Sequence, residues 1–220
     1  MSQAPNDDSL PAAETSLARY LDGLASDASI PGGGGAAALT GALGAALLSM
    51  VSRFTLGRER YEQSWPHIEP LLAESERLRQ TLLQAAEDDA RAYGEVGAAM
   101  RRPRSTRDQR RERRAALQAA LHSATAVPLE TARAARRALN LAATAAEHGN
   151  PNLVSDAGVA AALAEAALQS AALNVRINLA SIRDGDFVAT TEAELTELLT
   201  GAGEARAAVL AQVSEAISGS

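Results

Sequence analysis

Apolar residues recur at steps of three and four along most of the chain, and no segment shows the sustained period-2 alternation of a strand. The pattern predicts an all-α protein, a bundle of long helices. Thr15 or Ser16 can N-cap a first helix running to about Ala28, with Leu17, Tyr20, Leu21 and Leu24 on one face. A glycine loop, Pro31 to Gly35, leads into a helix of small residues ending near Phe54, and Thr55 to Trp65 is a polar connection. A long helix is expected from Pro66 or Ile68 to about Met100. Another starts at Arg107 and meets Pro128, which should kink or break it, before a stretch from Leu129 to the stop at Gly149-Asn150-Pro151. A second small-residue helix spans about Asn152 to Asp184, and a tail helix runs from about Thr191 to Ile217, weakened by Gly201 and Gly203. Met1 to Ala13 reads as a disordered tail ahead of one helical domain, residues 14–220.

Composition sharpens this picture. The chain is 46% hydrophobic but only 3% aromatic, so its core must be alanine, leucine and valine, which favours helices packed at short range. Ala37, Gly41, Ala45 and Ser49 form one such seam. The second helix carries another: Asp156, Ala160, Leu163, Ala167, Ala171, Asn174 and Asn178, with polar groups at both ends. Pro31 to Ser52 has no charge over 22 residues, yet its glycine and alanine supply little apolar drive, and a buried central helix rather than a membrane span is expected.

Absences narrow the chemistry. With no cysteine and no lysine, disulfides, thiolate ligands, cysteine nucleophiles and Schiff bases are excluded. His67, His122 and His148 lack an i,i+4 partner, so no metal and no cofactor is expected. Met1 to Asp8 is polar and acidic, unlike a secretory signal, and a cytoplasmic location is expected.

One carboxylate stands out. The apolar stripe of the long helix runs Leu78, Leu82, Ala85, position 89, Ala92, Val96 and Ala99, and position 89 is Asp89. A carboxylate on a core-facing stripe is costly unless paired, and a raised pKa suited to proton transfer belongs there, as does a purely structural hydrogen bond. Arg101 to Arg114 holds eight arginines against two acids, a local charge of +6 in a chain of net charge −6. It reads as a solvated face, or as a contact for an anionic ligand or partner. Nucleic acid is disfavoured because no aromatics interleave with the arginines.

The combination P-G-G-G-G-A-A-A-L-T-G-A-L-G-A-A-L-L-S-M-V-S-R, N-L-V-S-D-A-G-V-A and A-L-N-V-R-I-N-L resembles the formimidoyltetrahydrofolate cyclodeaminase / methenyltetrahydrofolate cyclohydrolase family, over about residues 15–215. The resemblance implies a homodimer closed by small-residue helices, with a tetrahydrofolate substrate, in mono- or polyglutamylated form, bound near the interface. It implies cyclodeaminase activity first and cyclohydrolase activity as the alternative; a non-catalytic helical interaction protein that keeps the fold without the chemistry is the second alternative. Asp89 falls on the family's acidic segment, with Tyr93 in the aromatic place, as general acid and then base. The glycines Gly32, Gly33, Gly34 and Gly35 would line the one-carbon end; where the family varies between serine and glycine, this chain has Gly35. Arg58, Arg60 and Tyr61 replace a basic connection that would meet the glutamate tail. Asp156, Asn174 and Asn178 would hold the pteridine or form a buried network, with Arg176 off their face as a possible interface ion pair.

Overall fold

The computed structural model describes residues 16–219, and the tail Met1 to Ala13 lies outside them. Seven α-helices follow in order, with no strand among the described residues: α1 Leu17–Leu24, α2 Gly33–Thr55, α3 Trp65–Arg101, α4 Arg107–His148, α5 Val154–Leu179, α6 Gly185–Leu199 and α7 Ala202–Ser218. Helices α2, α3, α4 and α5 form an antiparallel ring in which each packs on two neighbours, and α6 and α7 cover α4 and α5. The core is alanine-rich as expected: Ala38, Ala45, Ala135, Ala138, Ala160, Ala164 and Ala171 are sealed from solvent beside Leu48, Leu78, Leu82 and Leu168. Small residues set the spacing. A Cβ on Gly44 would come within 3.2 Å of the Ala160 carbonyl oxygen on α5, so that crossing is closed backbone to backbone. Between α2 and α3 the seam is polar at one point, where the buried hydroxyls of Ser49 and Ser75 bond at 2.9 Å. By length and hydropathy α2 could span a membrane; 61% of that window is buried within the bundle.

The long helix α3 matches its expected limits, but five boundaries differ. The first helix stops at Leu24 because the Ser26 hydroxyl takes the Gly23 carbonyl and accepts from the Ala28 amide. The glycines are not a loop: Gly33, Gly34 and Gly35 form the first turn of α2, after an extended Gly32. Glycine in a helix costs about 0.5–1 kcal/mol per residue, and here burial of α2 between α3 and α5 outweighs it. Helix α4 runs through Pro128 without a break. Helix α5 stops at Leu179, not Asp184, because Asp184 instead caps α6 through the Phe187 amide. The tail is two helices, divided at Gly201, whose φ of +70° suits glycine.

The Pro128 result has a specific cause. Proline has no N–H, so the Ala124 carbonyl one turn back loses its helical donor. Asn178 of α5 supplies the missing bond, its Nδ2 donating to the Ala124 oxygen at 3.0 Å. Asn178→Leu strips this replacement and leaves a partly buried carbonyl unsatisfied; a loss of about 1–3 kcal/mol is expected, read as a lower urea midpoint.

Candidate active site

Because the four central helices alternate in direction, the start of α2, the second half of α3, the start of α4 and the end of α5 share one end of the bundle. Asp89 lies there, half-buried, with Oδ2 accepting from the Gly35 amide at 2.9 Å. No side chain of α2 caps its own N-terminus. The carboxylate of α3 does so across the helix pair, which is why three glycines can begin a helix here. The amides of Gly33 and Gly34 have no acceptor among the described residues and remain donors beside Asp89. Glycine at 34 is a packing requirement: a Cβ there would fall on the Asp89 carboxyl, 2.8 Å from Oδ2 and nearer still to Cγ and Oδ1.

Two opposing influences set the proton affinity of this acid. Burial raises Asp89 above its ordinary value of 3.8, and the Gly35 hydrogen bond pulls it down; burial wins. The folded protein therefore keeps this proton to higher pH than the unfolded chain. Its stabilising contribution is complete below about 3.8 and is lost as pH rises through the raised value. The urea midpoint of Asp89→Asn minus that of the wild type should thus grow as pH is raised from about 3.8 through the raised value.

Tyr20 is the residue that sequence reasoning missed. It was expected only as an apolar position of α1. Its phenolic oxygen is buried with no hydrogen-bond partner, and it lies 3.1 Å from where a Cβ on Gly35 would sit. Burial, and then the negative charge of Asp89, raise its pKa. The phenol fills the space a serine at 35 would enter. Nothing in the helical pattern of α1 distinguishes it from a core tyrosine, since the orphaned oxygen is a tertiary fact.

The other expected site residues divide between the two ends of the bundle. Asn174 belongs with Asp89: its amide is 3.9 Å from a Cβ position on Gly33, although Nδ2 is engaged by the Ser170 carbonyl at 2.9 Å. Asn178 is one turn further on, its Nδ2 committed to Ala124. Asp156 does not join them. It stands in the first turn of α5, where a negative charge favours the helix dipole, 18 positions and so about 27 Å of helix from Asn174.

Arg58, Arg60 and Tyr61 are also at the far end, beyond the span of α2 from Gly35 to Thr55, about 30 Å of helix from the Asp89 contact. Within one chain they do not reach the acid. The Tyr61 hydroxyl donates at 2.7 Å to Asn150 Oδ1, while Asn150 also binds Thr55 and Phe54 at the end of α2. Arg58 rests over the Phe54 ring and Arg60 over the Tyr61 ring. Arg176 pairs with Glu192 of α6 at 2.9 Å, within the chain. His67 and His148, distant in sequence, stack at this end with ring centroids 3.9 Å apart. Among the described residues no group of three or more histidines and acids is placed to hold a metal. Two surface clefts, of about 380 and 420 Å³, lie against Ser49, Phe54 and Arg79, and against Gln84, Asp88 and Val127; neither is lined by Asp89.

The arrangement sets one half-buried carboxylic acid against a helix N-terminus, with the Gly33 and Gly34 amides beside it. The chain belongs to the formiminotransferase-cyclodeaminase family, whose model matches residues 16–197. It is 44% identical over 192 residues to a methenyltetrahydrofolate cyclohydrolase of Methylorubrum extorquens, covering 87% of this chain and 92% of the relative. It is 34% identical over 197 residues to the formimidoyltransferase-cyclodeaminase of Mus musculus, covering 90% of this chain but 36% of that longer relative. The crystal structure of a formiminotetrahydrofolate cyclodeaminase from Thermotoga maritima superposes with a TM-score of 0.76 at 30% identity, covering 94% of this chain and 98% of that one. The family expected from the glycine and N-L-V-S-D motifs is therefore the one found.

Proposed function

We propose that this protein is a folate one-carbon enzyme that opens the N5–carbon–N10 bridge of 5,10-methenyltetrahydrofolate to give 10-formyltetrahydrofolate. The family resemblance put the cyclodeaminase reaction first, with no single residue separating it from hydrolysis. The 44% identity to a cyclohydrolase over nearly the full length of both chains supports placing hydrolysis ahead of it. Ring closure of 5-formimidoyltetrahydrofolate with loss of ammonia stays as the second reading, supported by the match to the Thermotoga maritima enzyme.

The observation that carries the reading is the Asp89 carboxyl, desolvated and set against the Gly35 amide. In the hydrolytic direction its carboxylate takes a proton as water attacks the cationic bridge carbon. The tetrahedral adduct collapses: the C–N5 bond breaks, the hydroxyl proton leaves to solvent, and Asp89 returns its proton to N5. One water is consumed and one proton released. A pKa raised by burial above the ordinary carboxylate value suits a group that must both accept and donate. The Gly33 and Gly34 amides would offer donors to the oxygen that develops on the bridge carbon, and the Asn174 and Asn178 carbonyl oxygens would face the pteridine. In the deaminating direction the same acid protonates the departing nitrogen.

The reading includes a cytoplasmic homodimer. Apolar side chains are left exposed along one face of α2 and α5: Leu43 is 54% exposed, Phe54 46%, Val159 49% and Leu173 68%. A second copy would cover this strip, and a solution mass of twice 22.8 kDa is expected by light scattering. The activity is tested by mixing the protein with each folate separately. Loss of the methenyl chromophore without ammonia supports hydrolysis, ammonia release from the formimidoyl compound supports the second reading, and turnover of neither overturns both.

A further inference from the structure

Helix α1 adds little to the bundle it sits on, yet it delivers one buried polar group to the acid. Resting on Asp89 as the acid–base group of the folate reading, we infer that Tyr20 is its positioning residue. The phenol donates a hydrogen bond to the carboxylate once the proton has left, and so holds the base in place for the reacting carbon.

Packing does not explain where α1 lies. None of its eight residues is buried, and Leu17 and Leu21, two of the apolar positions its pattern sets on one face, are 64% and 50% exposed. The side it turns to the bundle is Tyr20, Gly23 and Leu24, each half-covered. The chain folds back so that a Cβ on Gly23 would come within 3.2 Å of the Pro31 ring, just ahead of α2. That return sets Tyr20 over the start of α2. Its hydroxyl oxygen is shut off from solvent and has no hydrogen-bond partner. Buried hydroxyls are nearly always bonded, so this one marks a bond made in another state of the site.

The missing partner is beside it. The phenolic oxygen and Asp89 Oδ2 flank one point, the Cβ position of Gly35, at 3.1 and 3.8 Å. Oδ2 takes the Gly35 amide, and Oδ1 accepts from no donor among the described residues. A neutral carboxyl manages with one such bond; ionised and desolvated, it needs a further donor. Burial, and then the charge of Asp89, hold the phenol above its ordinary value of 10.0, so it is still protonated wherever the carboxylate has formed. The other ionisable groups around Asp89 are engaged or exposed. Helix α2 has no charge before Arg53. On α3, Glu87 takes the Gln84 amide and Asp88 pairs with Arg91. On α4, His122 stacks on Phe187 and Glu130 pairs with Arg133. Helix α5 brings the neutral Asn174, and its Arg176 pairs with Glu192. On α1 itself Arg19 and Asp22 are exposed.

The test moves the hydroxyl from α1 to α2. Tyr20→Phe keeps the ring and removes the donor. With 5,10-methenyltetrahydrofolate, kcat should fall about tenfold to a hundredfold, the worth of a hydrogen bond to a charged group, with KM little changed. The carboxylate has lost a donor, so the acidic limb of the pH–rate profile should move to higher pH. Adding Gly35→Ser puts a Cβ 3.8 Å from Asp89 Oδ2, in space the phenolic oxygen has left. Its hydroxyl should restore most of the rate and return the limb. The same serine beside an intact Tyr20 crowds the phenol and should give no gain. A second readout needs no substrate: the carboxyl carbon-13 shift of Asp89, identified by its loss in Asp89→Asn, followed against pH in the full chain. It should titrate at higher pH in Tyr20→Phe than in the wild type and return in the double variant. An Asp89 titration unchanged by Tyr20→Phe overturns the inference, as does a rate loss that neither moves the limb nor yields to the serine. If neither folate is turned over while the Asp89 titration moves as stated, the folate reading fails and the Tyr20 contact stands.

Discussion

Asp89→Asn should lower kcat by about 10²–10⁴-fold, the range a positioned acid–base group supplies, while leaving the fold intact. The substitution is nearly isosteric, and its amide oxygen can still accept from the Gly35 N–H, so the cap on α2 survives. What disappears is the exchangeable proton. Because the carboxylate is held half-buried at a cost, its neutral replacement should be no less stable than the wild type near neutral pH, and urea unfolding should show this. Loss of activity with stability retained is the signature of chemistry, since a structural acid would lose both together. Single-turnover measurement separates the chemical step from binding, and an unchanged rate there would remove Asp89 from the mechanism.

Gly34→Ala tests the same contact from the other helix, and its sign depends on Asp89. On helix propensity alone, alanine for glycine should stabilise by up to about 1 kcal/mol. Here the new Cβ lands on the Asp89 carboxyl, so α2 must shift or the acid must swing away. A net loss of about 1–3 kcal/mol is expected for such overpacking, together with a fall in activity approaching that of Asp89→Asn. In an Asp89→Ala background the colliding atoms are gone, and the identical change at 34 should become stabilising. That reversal, read from urea midpoints in a double-mutant cycle, is specific to a Gly34–Asp89 contact. Gly94→Ala calibrates it, since a Cβ there meets nothing within 4 Å and should return the propensity gain alone. A Gly34→Ala protein as active and as stable as the wild type would mean that the carboxyl is not where it is described.

Much of this protein could be read from local pattern. The limits of α3, the alanine core and the placing of Asp89 on a core-facing stripe follow from 3.6-residue periodicity, which one segment carries by itself. The motifs around the glycines and around Asn152 to Asn178 located the family. The features that eluded pattern all involve a partner distant in sequence. Three glycines begin a helix because a carboxylate 54 positions later accepts the Gly35 amide. A helix continues through Pro128 because an amide 54 positions beyond Ala124 replaces the missing donor. In each case a local rule about glycine or proline was correct about the cost and silent about what offsets it.

Grouping the site residues was also beyond sequence. Asp156 and Asn178 share a seam by periodicity, yet a helix seam runs its full length and its ends lie far apart. Arg58, Arg60 and Tyr61 follow closely on α2 in sequence, but a 23-residue helix carries the chain from the acid's end of the bundle to the other. Sequence by itself determined which segments are helical, what they bury and which acid is out of place. Only the tertiary structure decided which end of each helix meets the acid, because helix direction and packing, rather than spacing along the chain, set what Asp89 can touch.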